Sequence, residues 1–137
     1  MTPTDVEAVE DLVRAFFAAF VSGPDSTARV DTLREILHPR AVIFASGSPD
    51  PTVYDVDSFI EPRRALLAGD RLSDFREWAL PGRTEVFDGI AQHCCPYEKS
   101  GVLDGESFTG RGTKTFQFVR TGAGWRISAV AWVDLPS

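Results

Sequence analysis

The chain has 137 residues, 43% of them hydrophobic and 25% charged, and its 20 Asp and Glu against 14 Lys and Arg leave a net charge of -6. That length suits one globular domain spanning 1–137, and the apolar content excludes a disordered acidic tail. The acid excess excludes a nucleic-acid partner, which would need basic patches to neutralise phosphate.

The longest purely apolar run, Ala15–Val21, has seven residues, whereas a spanning helix takes about 20. The first residues, Met1 to Glu7, are acidic where a secretory leader would be basic and then apolar. The expectation is a cytoplasmic protein with no membrane partner.

Thr4-Asp5-Val6-Glu7 matches a capping box and places two acids at the positive end of a helix. Val6, Val9, Val13, Phe16, Phe17 and Phe20 follow at helical spacing and make one stripe, up to Gly23-Pro24. The pattern predicts a helix of about 18 residues, roughly 27 Å long at 1.5 Å per residue. A second helix starts near Ser26 or Thr27, carries Val30, Leu33, Ile36 and Leu37 on one face, and stops at Pro39. His38, next to that stop, is read as capping the last helical carbonyls. Ala41–Ala45 reads as a short apolar strand and Ser46–Pro51 as a loop. A third helix lies between Asp55 and Ala68; Pro62 predicts an isolated turn first, with the helix proper restarting near the proline.

From Leu72 the period changes to two. Strands are predicted at Ser73–Leu80, Arg83–Asp88, Ile90–Lys99, Thr113–Arg120 and Trp125–Asp134. Pro81-Gly82, Asp88-Gly89, Asp104-Gly105 and Thr121–Gly124 supply turns, so the strands form an antiparallel meander. Pro96 predicts a bulge or an edge position. Cys94 and Cys95 are adjacent, which suits reduced structural thiols on opposite faces of a strand better than a disulfide or a metal site. Helices first and strands afterwards is the α+β order: three N-terminal helices on a strongly curved, mostly antiparallel sheet, a cone whose open end is a natural pocket.

Leu37-His38-Pro39-Arg40-Ala41-Val42, Tyr97-Glu98, Asp104-Gly105, Arg111-Gly112, the ending Phe116–Ile127 and Trp132 together resemble the nuclear transport factor 2-like superfamily. Within it the likeness is to the small bacterial SnoaL-like and DUF4440-like domains, from Val6 to Val133. The resemblance implies the cone fold and a homodimer formed by the outer faces of two sheets. It also implies a small hydrophobic ligand and leaves the chemistry open, because the superfamily holds isomerases, dehydratases, cyclases, transport factors and dimerisation modules. The general-base Asp of the ketosteroid isomerases would align with about Ala45, and their tyrosine donor with a helix that offers only Phe16, Phe17 and Phe20. Both departures weigh against steroid-type enolisation.

Candidate catalytic residues are His93, Tyr97 and Asp134. In an unbulged strand His93 and Tyr97 share a face and Glu98 takes the other; a bulge at Pro96 would bring Glu98 beside His93. The resemblance implies two readings of Asp134: the acid–base group that SnoaL-type cyclases place on a late strand, or a solvated carboxylate near the chain end. Candidate ligand-binding residues are Tyr54, Arg63, Trp78, Glu98, Arg111 and Trp132: aromatics with polar handles plus charged groups, with Arg111 paired to Glu98 across strands. No metal site is expected. No dinucleotide, phosphate-loop or nucleophile-elbow motif occurs, so no cofactor is expected either. The resulting expectation is a small-molecule-binding protein with an apolar pocket. The alternative is a cofactor-free acid–base enzyme of isomerase, dehydratase or cyclase type.

Overall fold

The computed structural model describes residues 3–136. Thr4 caps helix α1, Asp5–Ala18: its hydroxyl accepts the Glu7 N–H at 3.1 Å, and the Glu7 carboxylate accepts the Thr4 N–H at 3.3 Å. The helix has 14 residues, fewer than the stripe suggests. Phe20 stays buried beyond its end, and Val21 leaves the helix to bridge Arg76. The second helix is split at Thr32 into α2, Ser26–Asp31, and α3, Leu33–Ile36, where the Thr32 hydroxyl donates to the Arg29 carbonyl.

Strand β1, Leu37–Ala45, begins before the predicted Ala41 and takes His38 and Pro39 with it. A proline disfavours helical backbone in the residue before it, so the chain is already extended at His38. His38 therefore does not cap helical carbonyls; its Nδ1 accepts the Arg40 N–H at 3.0 Å. A short strand, β2 (Thr52–Tyr54), leads into α4, Val56–Ala68, capped by Asp55 and Ser58. Pro62 lies inside α4 and does not divide it as predicted. A proline in a helix interior costs about 3 kcal/mol. Burial of Val56, Phe59, Ile60 and Leu67 on one continuous face is worth about 1.5–3 kcal/mol per side chain and outweighs it.

Strands β3 (Leu72–Ala79), β4 (Arg83–Phe87), β5 (Ile90–Leu103), β6 (Glu106–Thr121) and β7 (Gly124–Asp134) complete one sheet of seven strands. Its order is β2-β1-β7-β6-β5-β3, with β4 also paired to β5; β1 and β7 are parallel and the other pairs antiparallel. The β5–β6 hairpin runs well past the predicted strand ends and turns at Asp104-Gly105, both with positive φ (50° and 87°), the geometry that matches strand twist.

No bulge forms at Pro96, because β5 and β6 stay in unbroken register across it, with Pro96 opposite Thr113. The proline sits where the other neighbour of β5 changes from β3 to β4. Its carbonyl accepts the Leu80 N–H at 2.9 Å, so its missing N–H faces the β3–β4 turn rather than the β6 ladder. Cys94 is exposed and Cys95 buried, as alternation requires, and burial pushes the Cys95 thiol up to about 11.

The helices lie on one face of the sheet. Phe16 touches Phe17, Phe20, Phe59 and Phe116 with ring centroids 5.1–6.2 Å apart, which joins α1, α4 and β6 in one core. Among the described residues no helix is long and apolar enough to cross a membrane.

Candidate functional site

Register sorts the inner face of the sheet into rows, since residues directly opposite on neighbouring strands project to the same side. One row runs Glu77, Lys99, Gly110; the next Ala79, Tyr97, Gly112, Asp134; the next Cys95, Lys114, Trp132, Ala45. A fourth runs Thr84, His93, Phe116, Val130, Ile43, Tyr54. From the first three rows Glu77, Lys99, Asp134, Lys114 and Trp132 line a cavity of about 290 Å³. Phe16, Phe20, Phe59, Phe75 and Phe108 supply apolar wall, and Arg63, Glu77, Lys99, Lys114 and Asp134 supply charge. The fourth row lines none of it: His93, Phe116, Val130 and Ile43 are buried there and fill that end.

Two glycines make room for the polar network. A Cβ on Gly112 would sit 2.2 Å from the Val133 carbonyl oxygen and 2.6 Å from the Tyr97 hydroxyl. Its absence lets Tyr97 reach from β5 across β6 and donate to Asp134 Oδ1 on β7. A Cβ on Gly110 would lie 2.7 Å from Lys99 Cε, so the lysine stem occupies that space instead; its Nζ donates to the same Asp134 oxygen at 3.3 Å. Burial and the neighbouring Asp134 carboxylate raise the Tyr97 phenol, which stays protonated. Burial alone would raise Asp134, but the Tyr97 hydroxyl and the Lys99 ammonium outweigh it and hold the carboxyl below its ordinary range.

Lys114 is 4% exposed. Its Nζ lies 3.7 Å from Glu77 Oε2, 4.1 Å from the centre of the Tyr97 ring and 4.7 Å from that of Trp132. Among the described residues it makes no hydrogen bond. No fully buried polar atom there lacks a partner, so the ammonium must touch the cavity. Burial lowers its proton affinity; Glu77 opposes the shift, while Lys99 and Arg63 add to it.

Arg63 enters from α4, the opposite wall. Its guanidinium stacks over Phe59 (4.1 Å), Tyr54 (5.0 Å) and Trp132 (5.5 Å) and donates to the Phe59 carbonyl at 3.0 Å. Among the described residues no carboxylate lies within 4.0 Å of it. Tyr54 and Trp132 stack on each other with planes 5° apart.

The structure thus brings Tyr54, Arg63, Tyr97, Trp132 and Asp134 together at or beside the cavity. His93 is on the same sheet face but lies beyond Phe116, in the filled row. Thr84 donates its one hydroxyl proton to Glu10 at 2.9 Å, so at 2.7 Å it accepts from His93 Nδ1–H. Burial lowers the His93 proton affinity and Glu10 partly opposes that. Glu98 does not approach His93, because the unbulged strand keeps them on opposite faces.

Trp78, Glu98 and Arg111 share the outer face, away from the cavity, since Glu98 is opposite both Trp78 and Arg111 in the ladder. Glu98 and Arg111 are direct cross-strand neighbours as expected, but they form no ion pair within 4.0 Å. Arg111 instead approaches the Pro136 carbonyl at 3.5 Å, and Trp78 carries the Arg76 guanidinium 4.6 Å above its ring.

Lys114, Glu77 and Lys99 were not among the sequence candidates. Lys114 carried a usable signal: it has the same parity as Phe116 and Phe118, so it is a cation on the apolar side of a strand. No group of three His, Cys, Asp or Glu suited to a metal occurs among the described residues.

No family model matches the chain, and no curated protein matches it. Solved structures do. A protein from Novosphingobium aromaticivorans described as a candidate aromatic ring hydroxylase aligns with TM-score 0.78 at 20% identity, over 100% of this chain and 94% of that one. A nuclear transport factor 2-like superfamily protein from Salmonella enterica aligns with TM-score 0.77 at 11% identity, over 97% and 92%. The hexachlorocyclohexane dehydrochlorinase LinA-type3 from Novosphingobium barchaimii aligns with TM-score 0.76 at 16% identity, over 94% and 85%. At these identities the likeness concerns architecture: the chain has the nuclear transport factor 2-like fold, with its charged cavity between the helices and the inner face of the sheet.

Proposed function

We propose that the inner cavity binds one small, mostly apolar, ring-containing molecule. The observation that carries this reading is an aromatic-walled cavity of about 290 Å³ with its charged groups gathered on the sheet and on Arg63. Ligand sites combine apolar walls with a few placed polar groups, and this volume is at the small end of their range, about 300–1,000 Å³, enough for one or two rings. The names of two proteins of the same fold, a candidate aromatic ring hydroxylase and a hexachlorocyclohexane dehydrochlorinase, also refer to ring compounds. Calorimetric titration with 2-naphthol, p-cresol and indole tests it. Saturable 1:1 binding is expected, and Leu66→Trp, which fills the cavity from a partly exposed position on α4, should abolish it. Failure of every ring compound, neutral or charged, to bind saturably would reject the reading.

One observation favours acid–base catalysis on the bound molecule as a second reading. Lys114 is an amine of lowered proton affinity on the cavity wall, 3.7 Å from a carboxylate that can pass a proton to it or take one from it. Deuterium exchange at the carbon next to the carbonyl of 2-tetralone, followed in heavy water, is the direct measurement. Protein-catalysed exchange that disappears in Lys114→Met, with ketone binding retained, supports it; exchange no faster than in buffer refutes it.

A further inference from the structure

We infer that the molecule held in this cavity is a monocarboxylate whose carboxylate group lies between Lys114 and Arg63, against the Trp132 ring. The inference rests on the binding reading above and adds the chemical class of the ligand.

The cavity wall carries three cations, Arg63, Lys99 and Lys114, and two carboxylates, Glu77 and Asp134, an excess of one positive charge in a chain whose net charge is -6. Lys99 is engaged with Asp134 Oδ1 at 3.3 Å. Lys114 has Glu77 only at 3.7 Å, too long for a hydrogen bond, and all its donors remain unused. Arg63 is held flat by three rings and one backbone carbonyl, with no acid beside it.

Both cations lie over the same Trp132 ring, Arg63 at 5.5 Å and Lys114 at 4.7 Å, one reaching from α4 and the other from β6. Two like charges beside one ring repel, and Arg63 is among the groups that lower the Lys114 proton affinity. An anion between them would remove that repulsion and accept hydrogen bonds from both, the charge-assisted kind that is strongest where water is scarce. Glu77 approaches the ammonium from β3, so an incoming carboxylate meets Lys114 on its cavity side.

The charge count selects the ligand's charge. One uncompensated cation balances one negative charge; a phosphate dianion would leave excess charge in an aromatic-walled space, and an amine would meet three cations. The aromatic walls then receive the apolar body, leaving the carboxylate at the Lys114–Arg63 end.

The test is a matched pair of ring compounds with the same shape and different charge, 2-naphthoate and 2-naphthamide, titrated calorimetrically into the intact protein. Naphthoate should bind at least about tenfold more tightly, as expected for charge-assisted over neutral hydrogen bonds. Arg63→Met and Lys114→Met should each weaken naphthoate about tenfold or more and leave naphthamide within about twofold. Arg63 is half-exposed, so its variant reports even if Lys114→Met folds poorly. Equal affinity for acid and amide, or equal weakening of both by Arg63→Met, overturns the inference. If 2-naphthol and the amide bind while the acid gains nothing, only the carboxylate assignment falls; if no ring compound binds, the binding reading falls with it.

Discussion

Two regions of the same sheet face treat buried titratable groups in opposite ways. At the filled end, His93 is enclosed by Phe116, and its Nδ1–H is accepted by Thr84, which donates to Glu10 on α1. Thr84 has both its donor and its acceptor function engaged within the protein, so the cluster ties α1 to β4 and β5. At the cavity end, Lys114 is at least as deeply buried yet makes no hydrogen bond, and Arg63 has rings in place of an acid. Burying a charge without hydrogen bonds costs several kcal/mol, so such a group persists in a folded chain only where something else compensates it. The contrast separates a structural cluster from a binding one, even though His93 looks more like a catalytic residue by type.

The sharpest way to break this contrast is to close the gap through which Tyr97 reaches Asp134. Gly112→Val would place a Cβ 2.2 Å from a backbone carbonyl that cannot swing away. A loss of about 3 kcal/mol in urea unfolding is expected, the upper range for overpacking. Naphthoate binding should fall with it. Gly82→Ala is the counterpart at the filled end: its Cβ would lie 2.4 Å from the Cys94 carbonyl oxygen and 2.8 Å from His93 Nε2. It should cost about 1–3 kcal/mol while leaving ring binding intact. If both substitutions removed binding equally, the two ends would not be separable.

Lys114→Met should cost about 2 kcal/mol, because Glu77, itself 10% exposed in its side chain, would lose its nearest cation. Adding Glu77→Gln should recover most of that loss, since removing both charges leaves no unpaired ion. Unfolding curves of the single and double variants decide the matter, and a double variant no more stable than Lys114→Met would show that the pair contributes through packing alone.

Acid should act on the two ends in different windows. The His93 proton affinity is lowered from 6.5 by burial, so below about pH 6.5 the unfolded chain takes up a proton that the folded chain refuses, and stability falls as pH drops. Asp134 is lowered from 3.8, so its contribution is present above that value and is lost only as pH falls through the lower folded value. His93→Gln should therefore flatten the fall in melting temperature between pH 7 and 5, and Asp134→Asn should leave that interval unchanged. An unaltered slope in His93→Gln would place the acid sensitivity elsewhere. The smallest effect belongs to the outer face: Arg111→Ala should change stability by no more than about 0.5 kcal/mol and leave naphthoate affinity unaltered.

Much of this molecule is legible in its sequence alone. The capping box at Thr4, the apolar stripe of α1 and the period-two pattern after Leu72 are local features, set by backbone hydrogen bonding and by which side chains can share a face. They determined the order of helices and strands and hence the α+β class. Where local rules conflicted with burial, burial won: Pro62 stays inside α4 because the face it interrupts is buried as a unit. Pro96 keeps its register because the ladder on its β6 side does not need the missing N–H.

The cavity lay beyond that reading for a different reason. Parity along one strand tells which residues share a face, and it placed His93 with Tyr97 correctly. It cannot tell how strands align with one another. Register alone set Gly112 between Tyr97 and Asp134, and Lys114 beside Trp132. The packing of α4 alone carried Arg63 across to the same ring, while Trp78, Glu98 and Arg111 were left on the far side of the sheet. Composition, pattern and turns determined which elements form and in what order. The meeting of two cations over one tryptophan was decided by tertiary structure, because it depends on distances between segments that share no local sequence.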